Sequence, residues 1–171
     1  MGNEIKHISW SHLWSFDYDR QQYHDRYVLG LKTPDNKYFK FGRDYEDLMA
    51  TTKYKDMDQQ ILIEEYIEWY KILWYVDFGN DDIWVECKTK AWRWSKNMIK
   101  KSWQFRIYNH FKGDRKFYIH QYNKKRQEVK IQEISFDDPE FIPELYCKIK
   151  EVEAYLNSYW ITILQHNEKE W

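Results

Sequence analysis

Between Ile83 and Lys88 the chain reads Ile-Trp-Val-Glu-Cys-Lys, β-branched and aromatic residues running straight into charge. That make-up suits a strand. Gly79-Asn80-Asp81 just before it is turn chemistry, and Trp74-Tyr75-Val76-Asp77-Phe78 is again aromatic and β-branched. The stretch 74–88 is therefore read as a hairpin. Around it, Tyr27–Lys32 and Tyr38–Phe41 read as two strands joined by Pro34-Asp35-Asn36, and Asp44 can cap a short helix through Thr51. After Asp58, the spacing of Leu62, Ile63, Tyr66, Ile67, Tyr70 and Leu73 predicts a helix. Residues 95–111 suit another, with Ile99, Trp103 and Ile107 on one face, and 116–122 with 128–136 make a second hairpin. Pro139 and Pro143 open a last helix, with Leu145, Ile149, Val152, Leu156 and Ile163 along one side. Residues 1–26 show no clean period. The expected fold is α+β with an α/β core: a small mixed sheet flanked by helices, with an N-terminal hairpin and a C-terminal helix.

At 171 residues the chain has the size of one domain, and no repeat or linker divides it. Hydrophobic content of 43%, nearly half of it aromatic, excludes a wholly disordered polymer. Five glycines and three prolines exclude collagen-like or low-complexity sequence. No apolar run reaches the ~20 residues that span a bilayer, and Met1–His7 lacks the apolar core of a signal peptide. Cys87 and Cys147 are too few for a disulfide framework or a zinc cluster. A soluble cytoplasmic protein with no membrane partner is expected.

The formal charge of −1 hides a segregation. Residues 1–85 hold 10 basic and 16 acidic side chains, residues 86–130 hold 14 and 3, and residues 131–171 hold 3 and 9. The net charges are thus −6, +11 and −6. The basic segment also carries Trp92, Trp94, Trp103, Phe105 and Tyr108. Cations interleaved with rings favour a phosphate backbone and unstacked bases. Lys90, Arg93 and Arg106 are candidate nucleic-acid contacts.

Asp77 and Glu86 can sit opposite each other across the 74–88 hairpin, and Glu86 and Lys88, two apart, share one face of their strand. Two converging carboxylates can hold a hard divalent cation. A lysine beside them can orient a water, or help deprotonate it, for attack on phosphorus. Glu-x-Lys alone is weak, since it recurs at Glu4 and Glu128, but only the Glu86 copy combines an apolar strand, an upstream acid and flanking helices.

This arrangement resembles the PD-(D/E)XK nuclease superfamily, whose signature is an acid on one strand and Glu-x-Lys on the next. The resemblance covers residues 58–122 and implies a restriction-endonuclease-like fold. It implies a Mg²⁺- or Mn²⁺-dependent endonuclease acting on DNA, with Asp77, Glu86 and the Cys87 carbonyl as metal ligands and Lys88 near the attacking water. Families of this type often add a glutamate from the first helix; Glu65 is the nearest choice, with Glu64 and Glu68 as rivals. The resemblance also implies that Lys100, Lys101 and Gln104 of the second helix face the nucleic acid. Val76 stands where such proteins carry proline, and Asp81 or Asp82 can replace Asp77 as the acidic partner. The N-terminal pair Tyr27-Val28-Leu29 and Phe39-Lys40-Phe41-Gly42-Arg43 also resembles the strands of GIY-YIG nucleases, although the following Tyr45–Ala50 lacks their helical arginine.

The six histidines show no metal spacing, and no Gly-rich phosphate loop or Gly-x-Ser-x-Gly elbow occurs. The wide apolar arc of the last helix packs on the core or makes a homodimer. Two functions follow: a metal-dependent nuclease, or a non-enzymatic binding protein, such as a phage-encoded inhibitor, that uses its basic or acidic face to occlude a partner.

Overall fold

The structure, a computed structural model, describes residues 4–32, 37–90 and 94–165. In chain order the elements are β1 (Glu4–Ile5), α1 (Trp10–Tyr18), α2 (Arg20–Tyr27), α3 (Lys37–Thr51), β2 (Asp58–Ile67), β3 (Tyr70–Gly79) and β4 (Ile83–Lys90). There follow α4 (Lys96–Lys101), α5 (Trp103–Phe111), β5 (Lys116–Asn123), β6 (Glu128–Ile134), α6 (Phe141–Asn157) and β7 (Thr162–Ile163). The chain forms two compact units, one of residues 1–33, 63–74 and 138–171, the other of residues 34–62 and 75–137. Strands β2 and β3 contribute to both.

In the second unit, strands run in the order β2-β3-β4-β5-β6. β4 pairs antiparallel with β3 and parallel with β5 over eight rungs, from Ile83↔Lys116 to Lys90↔Asn123. A parallel pair needs a crossover, and α4 and α5 supply it. Alternation then sorts the side chains of β4 and β5. Val85, Cys87, His120 and Tyr122 share the face on which α3 lies, where Tyr54, Phe78, Val85 and Cys87 form a buried cluster with Met49 and Ala50. Trp84, Glu86 and Phe117 share the opposite face, where Phe117 meets Phe105 and Tyr108 of α5. This is an α+β fold with a mixed five-stranded sheet flanked by helices.

In the first unit, Phe16 of α1, Tyr23 of α2 and Tyr155 of α6 meet edge to face at 5.2–5.8 Å. Leu145, Ile149, Val152 and Leu156 of α6 are buried as their spacing predicts, and Tyr70 donates to Glu153 Oε2 at 2.9 Å. Ile163 lies beyond the helix, in β7, which pairs parallel with β1. No helix among the described residues is long and apolar enough to cross a membrane.

Three expectations are corrected. The helix over 58–73 is instead strands β2 and β3, turned at Glu68-Trp69 with Glu68 at φ 54°. Tyr70, Ile72, Trp74, Val76 and Phe78 alternate along β3 and are all buried, so the period of two prevails over the 3–4 spacing that threads the same residues. The N-terminal hairpin is absent: Tyr27 ends α2, and Tyr38–Phe41 lie inside α3, whose Phe41, Tyr45 and Met49 form one helical stripe toward the sheet. That removes the GIY-YIG likeness; the turn residues Pro34-Asp35-Asn36 lie outside the described residues. The 95–111 helix breaks at Ser102, which takes extended backbone (φ −81°, ψ 121°) and starts α5 anew.

Candidate active site

The β3–β4 ladder pairs Gly79 with Trp84 and Phe78 with Val85, and continued by one step it brings Asp77 level with Glu86. There the side chain takes over from the backbone. Asp77 Oδ2 accepts the Cys87 N–H at 2.7 Å, satisfying a backbone donor of the central strand, while Oδ1 accepts from Gln60 Nε2 at 3.4 Å. Tyr108 of α5 places its one hydroxyl proton between the Tyr75 carbonyl, at 2.5 Å, and Glu86 Oε2, at 3.1 Å, so the helix ties β3 and β4 at this level. Gln104, one turn earlier, donates to Glu86 Oε1 at 2.6 Å, and the Lys88 ammonium donates to the same oxygen. Glu86 is 3% exposed, a depth at which a carboxylate needs such partners.

The electrostatics are lopsided. Asp77, 9% exposed, is held well above the usual carboxylate range by burial, then by the like charge of Glu86. Glu46, half-buried on α3, is raised by burial and then by Glu86. Burial pulls the Lys88 ammonium down, but Glu86 and Asp77 outweigh it and leave the pKa raised, so this lysine is charged at neutral pH. Burial and Asp77 push the Cys87 thiol up, which leaves it an inert SH. Two buried carboxylates, Asp77 and Glu86, are thus set against the Lys88 ammonium, while half-buried Glu46 is answered by Lys88 and Arg43.

That imbalance is the test of fit for a cation. Among the described residues, no three His, Cys, Asp or Glu side chains are gathered as a complete metal cage. A hard ion that keeps its own waters needs only one or two carboxylates, with phosphate oxygens completing its shell. Asp77 and Glu86 meet that requirement, and a divalent charge would balance the surplus.

Other expected residues fall elsewhere. Glu65 stands on strand β2, not on a helix, and Glu64 is engaged by Lys71 at 2.6 Å and Tyr66 at 2.9 Å. Glu68 marks the hairpin tip. The acid that the helix packed on the sheet brings to this place is Glu46, a residue whose i+1 relation to the buried Tyr45 was the available signal. Asp81 and Asp82 are exposed on the turn, and Glu128 and Lys130 are exposed on β6. Lys100 and Lys101 are exposed on α4, and Lys90 at the end of β4. Gln104 and Arg106 are corrected from surface contacts to buried groups: Gln104 braces Glu86, and the Arg106 guanidinium lies 5.1 Å over the Trp103 ring. Arg93 lies outside the described residues.

No family model matches the sequence, and no curated protein matches it. Solved structures do. A candidate exonuclease from Eubacterium rectale superposes with a TM-score of 0.64 at 11% identity, over 97% of this chain and 86% of that chain. The protein SSO0001 gives a TM-score of 0.53 at 16% identity, over 88% of this chain and 77% of its own. The likeness at such identities is one of fold. The chain shares the fold of these two proteins.

Proposed function

We propose that this chain is a metal-dependent nuclease that hydrolyses phosphodiester bonds in DNA, built on a PD-(D/E)XK-like site. The observation that carries the reading is the buried pair of Asp77 and Glu86 set against the ammonium of Lys88. Asp77 and Glu86 would hold Mg²⁺ or Mn²⁺, with the Cys87 carbonyl beside them. Bound there, the ion supplies Lewis acidity to a phosphoryl oxygen and lowers the pKa of a bound water. Lys88, being protonated, orients the attacking water and offsets charge on the phosphate; it does not remove the proton. Gln104 and Tyr108 fix the Glu86 carboxylate, so its geometry is set before substrate arrives. The like fold of a candidate exonuclease adds support.

A second reading, a binding protein without catalysis, draws on the same contacts: Glu86 already has Lys88, Gln104 and Tyr108 as partners, as a structural ion pair would. Cleavage separates the two. With Mg²⁺ or Mn²⁺ the protein should cut DNA, tested as supercoiled plasmid and as labelled single strand, and EDTA should stop it. Glu86→Gln and Lys88→Met should each lower the rate by roughly 100-fold or more, with the fold intact by circular dichroism. Metal-dependent cleavage unchanged in both variants would overturn the assignment, and stoichiometric DNA binding without any cleavage would favour the second reading.

A further inference from the structure

Outward from Glu46, Cys87 and Lys88 a cavity of about 550 Å³ extends between α3 and the end of β4, a size within the usual range of ligand sites. Its outer part changes chemistry. Arg43, Lys90 and Lys124 bring cations, and Tyr38 and Phe39 bring rings. Tyr38 is 65% exposed and Phe39 51%, on neighbouring positions of one helix. Beside them Phe41 lies nearly parallel to Tyr122 (6.2 Å, 16°), and Tyr122 stacks on the buried Tyr45 (4.8 Å, 19°). The Lys124 ammonium sits 4.0 Å over the Phe41 ring and 5.6 Å over that of Tyr38. Rings and cations are therefore presented together, with Lys124 between the Tyr38 ring and the Phe41–Tyr122–Tyr45 stack.

A duplex offers phosphates at its rim but hides its base faces in the stack. An unpaired strand offers both at once, and base–aromatic stacking with a cationic track is how such strands are held. Lys90 points the same way: burial and the nearby Lys88 and Lys124 lower its pKa, a crowding that a phosphate relieves. Resting on the nuclease reading above, we propose that this cavity seats an unpaired strand. A base lies on Tyr38 or Phe39, phosphates lie among Arg43, Lys90 and Lys124, and the strand runs inward toward Glu46, Cys87 and Lys88. The substrate class is single-stranded nucleic acid or the single-stranded end of a duplex.

Fluorescence anisotropy in EDTA reads binding without cleavage. A labelled single strand should bind at least tenfold more tightly than the same sequence as a blunt duplex. Tyr38→Ala combined with Phe39→Ala should weaken the single strand about tenfold or more while leaving the duplex unchanged, and Phe39→Trp should retain affinity. Lys90→Gln and Lys124→Gln should each reduce the salt slope of single-strand binding by about 0.7. Tighter binding of duplex, or an equal loss on both forms from the ring substitutions, overturns the proposal. A separate cleavage assay keeps the two readings distinct. Cutting without single-strand preference removes this cavity's role alone, and preference without cutting removes the nuclease reading alone.

Discussion

Asp77 does two jobs with one carboxylate. Its Oδ2 accepts the Cys87 N–H of the central strand, and its carboxyl sits in a buried setting beside Glu86. Because its folded pKa is raised, the native state binds the proton more tightly than the unfolded chain does. Stability is therefore full below the ordinary carboxylate pKa and falls as pH climbs toward the raised value. Asp77→Asn keeps the acceptor oxygen and deletes the charge. In EDTA at neutral pH this variant should melt higher, by ~2–4 °C if about 1 kcal/mol is recovered, and it should lose both activity and any stabilisation by Mg²⁺. A lower melting temperature, with Mg²⁺ still stabilising, would show that the carboxylate is held for structure. At this scale the sequence was informative: Asp77, Glu86 and Lys88 lie within twelve residues on one hairpin, so spacing alone brought them together. Gln104's role was hidden because an amide's direction depends on which helix face is buried, and Glu46's because its helix, read from Asp44, begins at Lys37 and its packing on the sheet was not foreseen.

Element α3 is where sequence and structure part most. Tyr38-Phe39-Lys40-Phe41 is as β-prone locally as any strand, and the longer stripe through Tyr45 and Met49 decides for helix only once there is a sheet face to receive it. β2 and β3 show the converse, alternation and 3–4 spacing being superimposed on the same residues. β4, the β5–β6 hairpin and α6 carried unambiguous periods and were legible. What fastens α3 is a buried histidine. Both ring nitrogens of His120 meet tyrosine hydroxyls, Tyr45 at 2.9 Å and Tyr54 at 2.8 Å. One nitrogen must accept, so a second proton breaks the arrangement. Burial, then Lys53, lowers the His120 pKa to about 4. A depressed histidine contributes stability in full above the unfolded value near 6.5 and loses it as pH falls toward 4. Urea denaturation should show wild type losing roughly 3 kcal/mol relative to His120→Gln across that window, and hydrogen exchange should report α3 loosening there. Parallel pH profiles for the two proteins would refute this.

For the whole molecule, the near-neutral charge separates along a structural boundary. The unit holding residues 34–62 and 75–137 has 19 basic and 14 acidic side chains, a net of +5; the other unit has 8 and 14, a net of −6. The candidate site and the ring-lined cavity both lie in the positive unit, so the field local to the chemistry has the sign a polyanion requires. The same unit also sets an order in time. Asp77 and Glu86 are joined by one tight turn, a closure of the kind that takes microseconds. The groups that hold Glu86 arrive only with α5, whose crossover must be complete before β4 can pair with β5, and non-local parallel pairing is slow. Two like charges are thus brought together early and restrained late. Pulse-labelled hydrogen exchange during refolding should find the Cys87 amide protected before the amides of β5; simultaneous protection would contradict that order.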